Sequence, residues 1–145
     1  MKIFFSIVFL IVLSYQSIIS QNTNYKLIKQ EQGVQFFARE MECHDDWNGI
    51  HQLFYQIQVI NTTEMQATIS WNIDTWMNGA CVTCGKPKNA ENTYTIELPP
   101  SGSLDGNCDK NSPKGLKVYI KEIQNNRSSV LSKFEITNLK VEFHE

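Results

Sequence analysis

The stretch 65–74 reads Met-Gln-Ala-Thr-Ile-Ser-Trp-Asn-Ile-Asp, in which apolar and polar side chains alternate without a break. Because successive side chains of a β-strand point to opposite faces, this period of two indicates a strand with one buried and one solvated face. Trp71 lies on the apolar face, so we predict that it is a core residue. The segment 51–60 alternates in the same way, and the short polar run 61–64 between the two segments is typical of a hairpin.

Shorter segments with the same period fill the rest of the chain, and no segment has convincing helical spacing. The segments 94–98 and 116–120 alternate regularly. The apolar residues of 134–143 switch from even to odd numbers, which predicts a bulge or bend near Thr137 and Asn138. Six to seven short strands with turn signals between them predict an all-β fold, a two-sheet antiparallel β-sandwich of the Ig-like type.

The first predicted strand, 34–43, is the least regular of the set. Phe36 and Phe37 are adjacent, so their side chains must point to opposite faces of the sheet. An edge position, or a strand that switches sheets, would explain this pattern.

The chain begins with the pattern of an export signal. Lys2 precedes the apolar stretch 3–13, and small or polar residues follow up to Ser20. We therefore divide the chain into a signal peptide, 1–20, a polar lead-in, 21–33, and a disulfide-stapled sandwich domain, 34–145. The expected location is outside the cell or in a periplasm.

The charge balance limits the class of partner. The formal net charge is −2, and no clustered basic face or polybasic run suggests binding to nucleic acid or to an anionic membrane. No second long apolar segment predicts a membrane span. We expect a monomer whose partner is an extracellular or cell-surface protein or a glycan.

Four cysteines, Cys43, Cys81, Cys84 and Cys108, would meet an oxidising compartment, where disulfides persist. If strand directions alternate and 101–106 forms a short return strand, all four lie at one end of the sandwich, in the loops 43–50, 76–92 and 105–115. We call this end the cysteine pole. Sequence allows three connectivities, and we favour Cys43 with Cys108 and Cys81 with Cys84. Structural stapling is favoured over redox or zinc chemistry, since no helix follows Cys84 and no second close pair exists.

Two polar clusters invite a chemical interpretation. Oxygen-bearing side chains recur at every second position in Asp105, Asn107, Asp109 and Asn111, as in calcium loops, but the EF-hand glycine and glutamate are missing. The second cluster is His44, Asp45, Asp46 and His51, which metal or acid–base chemistry would require to converge. A turn is favoured for both clusters. We expect no catalytic residues, no cofactor and no enzyme activity.

Trp47 and Trp76 are placed by strand parity in loops of the cysteine pole. They either pack over the disulfides or form an exposed aromatic platform for sugars or peptides. Asn61 and Asn126 begin glycosylation acceptor patterns, which matter only in a host that glycosylates exported proteins.

The order of these features resembles that of the small exported Ig-like sandwich proteins of unassigned function. The shared features are the signal, a strand, a cysteine loop, a hairpin, Cys81-x-x-Cys84, the Leu-Pro-Pro-Ser-Gly turn at 98–102 and Gly-Asn-Cys at 106–108. The resemblance covers most of 34–143 and implies the fold but no activity.

The sequence therefore predicts a secreted, non-enzymatic binding or structural module, with any recognition at the cysteine pole through Trp47 and Trp76. The alternatives are a small carrier of a lipid or another apolar ligand, and a calcium-dependent or glycan-binding surface module. An enzyme would need the histidine and aspartate cluster to converge.

Overall fold

The computed structural model describes residues 24–86, 93–124 and 128–145. The expected signal peptide and Asn126 lie outside the described residues. Within them the secondary structure is entirely β. The nine strands are β1 (Lys26–Glu31), β2 (Val34–Asp45), β3 (Ile50–Asn61), β4 (Gln66–Met77), β5 (Ala80–Cys81), β6 (Tyr94–Leu98), β7 (Ser103–Asp105), β8 (Lys117–Glu122) and β9 (Leu131–His144).

Two antiparallel sheets pack against each other, which confirms the predicted all-β sandwich. The first sheet has the order β1-β2-β3, and β7 and β8 both pair with the free edge of β3. In the second sheet β4 is central, with β9 along one edge and β6 and β5 along the other. The count exceeds the expected six to seven because β5 and β7 are very short and β1 lies in the polar lead-in.

The core lies between the sheets and is built from the alternating positions. Trp71 is fully buried, and its ring packs edge-on against Phe36 of the other sheet, with 5.3 Å between centroids. Tyr94 contacts Trp71 from the neighbouring strand at 6.0 Å. The predicted core role of Trp71 is confirmed. Its indole Nε1 has no hydrogen-bond partner among the described residues.

The predicted hairpin between the segments 51–60 and 65–74 is wrong. β3 and β4 belong to different sheets, and residues 62–65 carry the chain across the sandwich. Asn61 holds this crossing, because its buried Nδ2 donates to the carbonyls of Met65 (2.7 Å) and Pro99 (3.0 Å). Its Oδ1 accepts from the Thr63 hydroxyl at 2.8 Å. The Nδ2 atom that a glycan would occupy is therefore buried and engaged.

The irregularities predicted in two other strands have different outcomes. The bulge expected near Thr137 is confirmed, because the β4–β9 register shifts there and Asn138 has a φ of 49°. The edge or sheet-switching position expected for the first predicted strand is wrong, since β2 lies between β1 and β3. Phe36 faces the core, and Phe37 is half-buried on the outer face, opposite Leu27 of β1.

Truncation of Trp71 tests how much this inter-sheet contact stabilises the fold. We expect Trp71→Ala to lower the free energy of unfolding by about 3–5 kcal/mol, as loss of a large buried aromatic side chain does. Trp71→Phe keeps the edge-on contact and removes the unpaired N–H, so it should lower stability by less than about 2 kcal/mol. Denaturant unfolding measures both values. Equal losses for the two variants would contradict the packing described here.

Candidate functional site

The cysteine pole contains both disulfides. Cys43 is bonded to Cys108 and Cys81 to Cys84, with Cα atoms 5.5 and 5.7 Å apart respectively, which confirms the favoured pairing. β7 is the short return strand that the pairing required, since it runs antiparallel to β3 and carries the chain back toward that end. Two disulfides are compatible with an oxidising extracellular or periplasmic environment.

The β2–β3 hairpin projects the first loop of the pole. Its strands pair without a shift from Val34↔Asn61 to Asp45↔Ile50. We call the connecting residues 46–49 the hairpin tip. Asp45 caps the tip, because its carboxylate accepts from the Asn48 side-chain amide at 2.7 Å and from the Asn48 backbone N–H at 3.2 Å. Gly49 closes the turn with a φ of 64°, a conformation that glycine adopts without strain.

The two loop tryptophans of the prediction have different environments. Trp47 sits in the hairpin tip with 96% of its surface exposed, so it does not pack over a disulfide. The loop position expected for Trp76 is wrong, because the alternating pattern continues and Trp76 is the penultimate residue of β4. It pairs with Cys81 and Lys133, and the Lys133 ammonium lies 4.6 Å from the centre of its ring.

The hydrogen bonds at the hairpin tip also affect an ionisable group. The bonds from the side chain and backbone of Asn48 hold the pKa of Asp45 below its ordinary value of 3.8, and Lys110 contributes in the same direction. The ionised carboxylate is therefore the form that caps the turn.

Most of the second polar cluster converges, contrary to the simple turn that was favoured. His44 and His51 are directly opposite each other in the ladder, and their Nδ1 atoms are 2.8 Å apart. On the outer side, His44 Nε2 lies 3.1 Å from the carboxylate of Glu42, and His51 Nε2 lies 3.9 Å from that of Asp46. Asp45 is the predicted member that instead belongs to the turn.

Glu42 was missed by the sequence analysis. It lies two residues before His44, and side chains two apart on a strand share a face. The direct opposition of the two histidines follows once Asp45 and Ile50 are taken as the last pair of the hairpin. We call His44 and His51 the imidazole pair, and Glu42 and Asp46 its two outer carboxylates.

The suggested calcium residues form a turn. Asp105 ends β7, and Asn107 Oδ1 accepts from the backbone N–H of Asp109 at 2.9 Å. The Asn107 backbone N–H in turn donates to the Ser112 hydroxyl at 3.0 Å. In the part of the chain that the structure describes, no group of three or more His, Cys, Asp or Glu side chains has an arrangement that could hold a metal ion.

A cleft opens between the sheets on the side of β1 and β9, and none of its lining residues is among the site residues that the sequence suggested. It has a volume of about 420 Å³ and is lined by Asn24, Lys26, Ile28, Ala38, Arg39, Glu40, Tyr55 and Phe134. Ile28 is the extra residue of a bulge in β1. Ile28 and Phe134 also line an adjoining hollow of about 340 Å³. We call the two together the edge cleft.

Comparisons with models of protein families, with curated proteins and with solved structures gave no match. None of the described residues belongs to a helix that is long and apolar enough to cross a membrane. The function is therefore inferred from the geometry of the chain itself.

The Asp45 cap predicts a pH dependence at the hairpin tip. Since the pKa of Asp45 is lowered in the folded protein, the cap stabilises the turn fully above pH 3.8 and is lost as the pH falls through the lower, folded-state pKa. The backbone amide resonance of Asn48 should report this transition in an NMR titration. Asp45→Asn should abolish the transition at Asn48. A midpoint at or above 3.8 would show that the cap does not form.

Proposed function

We propose that this protein is an exported, non-enzymatic recognition module with an Ig-like sandwich, and that it binds a partner protein outside the cell through the hairpin tip. The observation that carries the proposal is the 96% exposure of Trp47 on a turn that is held by four hydrogen bonds. Tryptophan is one of the residue types enriched among the side chains that dominate binding energy.

The rigidity of the tip supports this function. An indole side chain has few rotatable bonds and offers a large apolar surface, so little conformational entropy is lost when it is buried in a partner. The Asp45 cap and the β2–β3 ladder fix the backbone that presents it. Such pre-organisation reduces the free energy that binding must spend on ordering the loop.

The shape and charge of the tip indicate the kind of partner. A single ring at the end of a hairpin fits a pocket, and two acidic residues, Asp45 and Asp46, directly precede Trp47 in the chain. We therefore expect an apolar pocket with a basic rim, since complementary charge steers association. A glycan would need several free polar groups beside the ring, whereas Asp45 and Asn48 are engaged with each other. Trp76 is less suited, because Lys133 covers a face of its ring.

Export is part of this proposal. It is supported by the charged, apolar and small-residue pattern of 1–20 and by the two disulfides. The intact mass of protein recovered from outside the cell should correspond to a chain that begins near Gln21. Recovery of the unprocessed chain from the cytosol alone would refute export.

Replacement of Trp47 tests recognition at the hairpin tip. Trp47→Ala should weaken binding to a partner captured from the native extracellular or cell-surface fraction, with a Kd at least about tenfold higher. The melting temperature should hardly change, because the ring makes few contacts within the protein. Binding assays against that partner and against a glycan array separate the two classes.

The matched control is Met65→Ala, which removes a side chain with 42% exposure at the other end of the sandwich. It should bind like the wild type. Undiminished binding by a folded Trp47→Ala variant would exclude the hairpin tip as the contact surface. If the wild-type protein binds a glycan and no protein partner, the partner is a sugar instead of a protein.

The edge cleft favours a second candidate function, the carrier of a small apolar ligand. Its volume lies within the range of about 300–1,000 Å³ that is usual for ligand pockets. Ile28, Tyr55 and Phe134 supply an apolar lining, and two basic residues, Lys26 and Arg39, lie at the same cleft with one acidic residue, Glu40. This arrangement suits an acyl chain with an anionic head group.

A paired substitution in β1 tests the carrier function. Ile28→Glu places a charge in the edge cleft, whereas Leu27→Glu places one on a neighbouring exposed residue that does not line it. Binding of a fluorescent long-chain fatty acid should fall at least about tenfold for Ile28→Glu and remain for Leu27→Glu. No binding by the wild type, and no apolar compound in its organic extract by mass spectrometry, would rule the carrier out.

A further inference from the structure

The two facing Nδ1 atoms of the imidazole pair are close enough to share one hydrogen. Glu42 lies 3.1 Å from His44 Nε2, and a carboxylate oxygen accepts a hydrogen bond. His44 Nε2 therefore carries the hydrogen, which leaves a lone pair on Nδ1 of the neutral ring. Nδ1 of His51 is only 2.8 Å away, a distance at which two lone pairs would repel each other. One proton between the two nitrogens accounts for the contact.

A metal ion can replace that proton. Imidazole nitrogens bind divalent transition metals at about 2.0–2.1 Å. Two such nitrogens on adjacent corners of a square lie about 2.9 Å apart, and on a tetrahedron about 3.3 Å apart. The observed separation of 2.8 Å between the Nδ1 atoms matches the square arrangement, which Cu²⁺ favours with nitrogen and oxygen ligands.

The carboxylate of Glu42 has a role that is usual beside metal-bound histidines. A metal-bound histidine usually donates its other ring N–H to a carboxylate or carbonyl, which fixes its tautomer and orientation. Glu42 stands in this position behind His44, and Asp46 lies 3.9 Å behind His51. The side chains of His44 and His51 are 46% and 17% exposed, so an ion can enter from solvent.

We propose that His44 and His51 form a copper(II) chelate at the base of the hairpin tip, with Nδ1 of each ring as a ligand. Water completes the coordination, since the described residues contain no third convergent ligand. On binding, the Cu²⁺ ion forms two bonds to nitrogen, and the hydrogen between the rings moves to Nε2 of His51, so that both histidines are neutral ligands. Glu42 is a positioning residue that keeps the His44 ring turned toward the ion. This proposal is independent of the partner bound by Trp47.

Titration of Cu²⁺ into the disulfide-bonded protein tests the chelate. Electron paramagnetic resonance of the complex should show hyperfine coupling to two imidazole nitrogens, and calorimetry should give one ion bound per chain. His44→Gln and His51→Gln should each weaken binding by at least about tenfold. Glu42→Gln should weaken it by about 10-fold to 100-fold, as loss of an outer carboxylate does. Zn²⁺ should bind more weakly than Cu²⁺.

The third histidine provides a matched control. His144 lies on β9, where its ring contacts the Thr68 hydroxyl at 2.7 Å, and His144→Gln should bind Cu²⁺ like the wild type. All variants share the same N-terminal amino group, so any copper held there is common to the series. Binding of Cu²⁺ at wild-type strength by His44→Gln or His51→Gln would overturn the proposal. So would an absence of binding by the wild type, which would show that the pair holds a proton only.

Discussion

The edge-on contact between Trp71 and Phe36 fixes how the two sheets face each other. It also sets the parity of β2, because every even-numbered side chain from Val34 onward lies on the face of Phe36. That face is apolar and buried at residues 34, 36 and 38, and it becomes charged or polar at Glu40, Glu42 and His44. The change marks the point at which the β2–β3 hairpin extends beyond the core. The imidazole pair therefore lies on the continuation of the core face, and Cys43 lies on the opposite one.

The period of two predicted the strands, the core role of Trp71 and the bulge at Asn138, because each of these depends on residues that are close in sequence. The pairing of strands is a property of distant segments, and here the prediction was partly wrong. A four-residue polar connection suits both a hairpin and a crossing between sheets. The choice between them is made by Asn61, whose amide reaches the carbonyl of Pro99, a contact that alternation does not reveal. β1 was missed for a related reason: its polar residues form a strand because β2 offers a free edge.

The candidate site was predictable to a similar extent. The polar cluster at 44–51 and an aromatic residue at its centre are visible in the sequence, and strand direction placed the four cysteines at one end of the sandwich while leaving their pairing open. The exposure of Trp47 could not be predicted from the sequence. An aromatic residue in a loop packs over its neighbours or points to solvent according to contacts that only the fold defines. The short distance between the two Nδ1 atoms depends on the register of the hairpin and on the rotation of the His44 ring, which Glu42 holds. The order of residue types in a sequence does not show how a side-chain ring is rotated or how far apart two of its atoms lie.

The hairpin tip and the disulfides stabilise the protein in different ways. On the chain-entropy model, closing the 65-residue separation between Cys43 and Cys108 stabilises the folded state by roughly 4 kcal/mol through the unfolded chain, and a loop as short as that of Cys81 and Cys84 contributes about half as much. Neither effect determines the conformation of residues 46–49. That conformation depends on Asp45 and Asn48 within the turn, so a reduced but folded molecule would still present Trp47. Stability of the domain and geometry of the tip are thus set by separate interactions, and a substitution in the tip reports on recognition with little interference from unfolding.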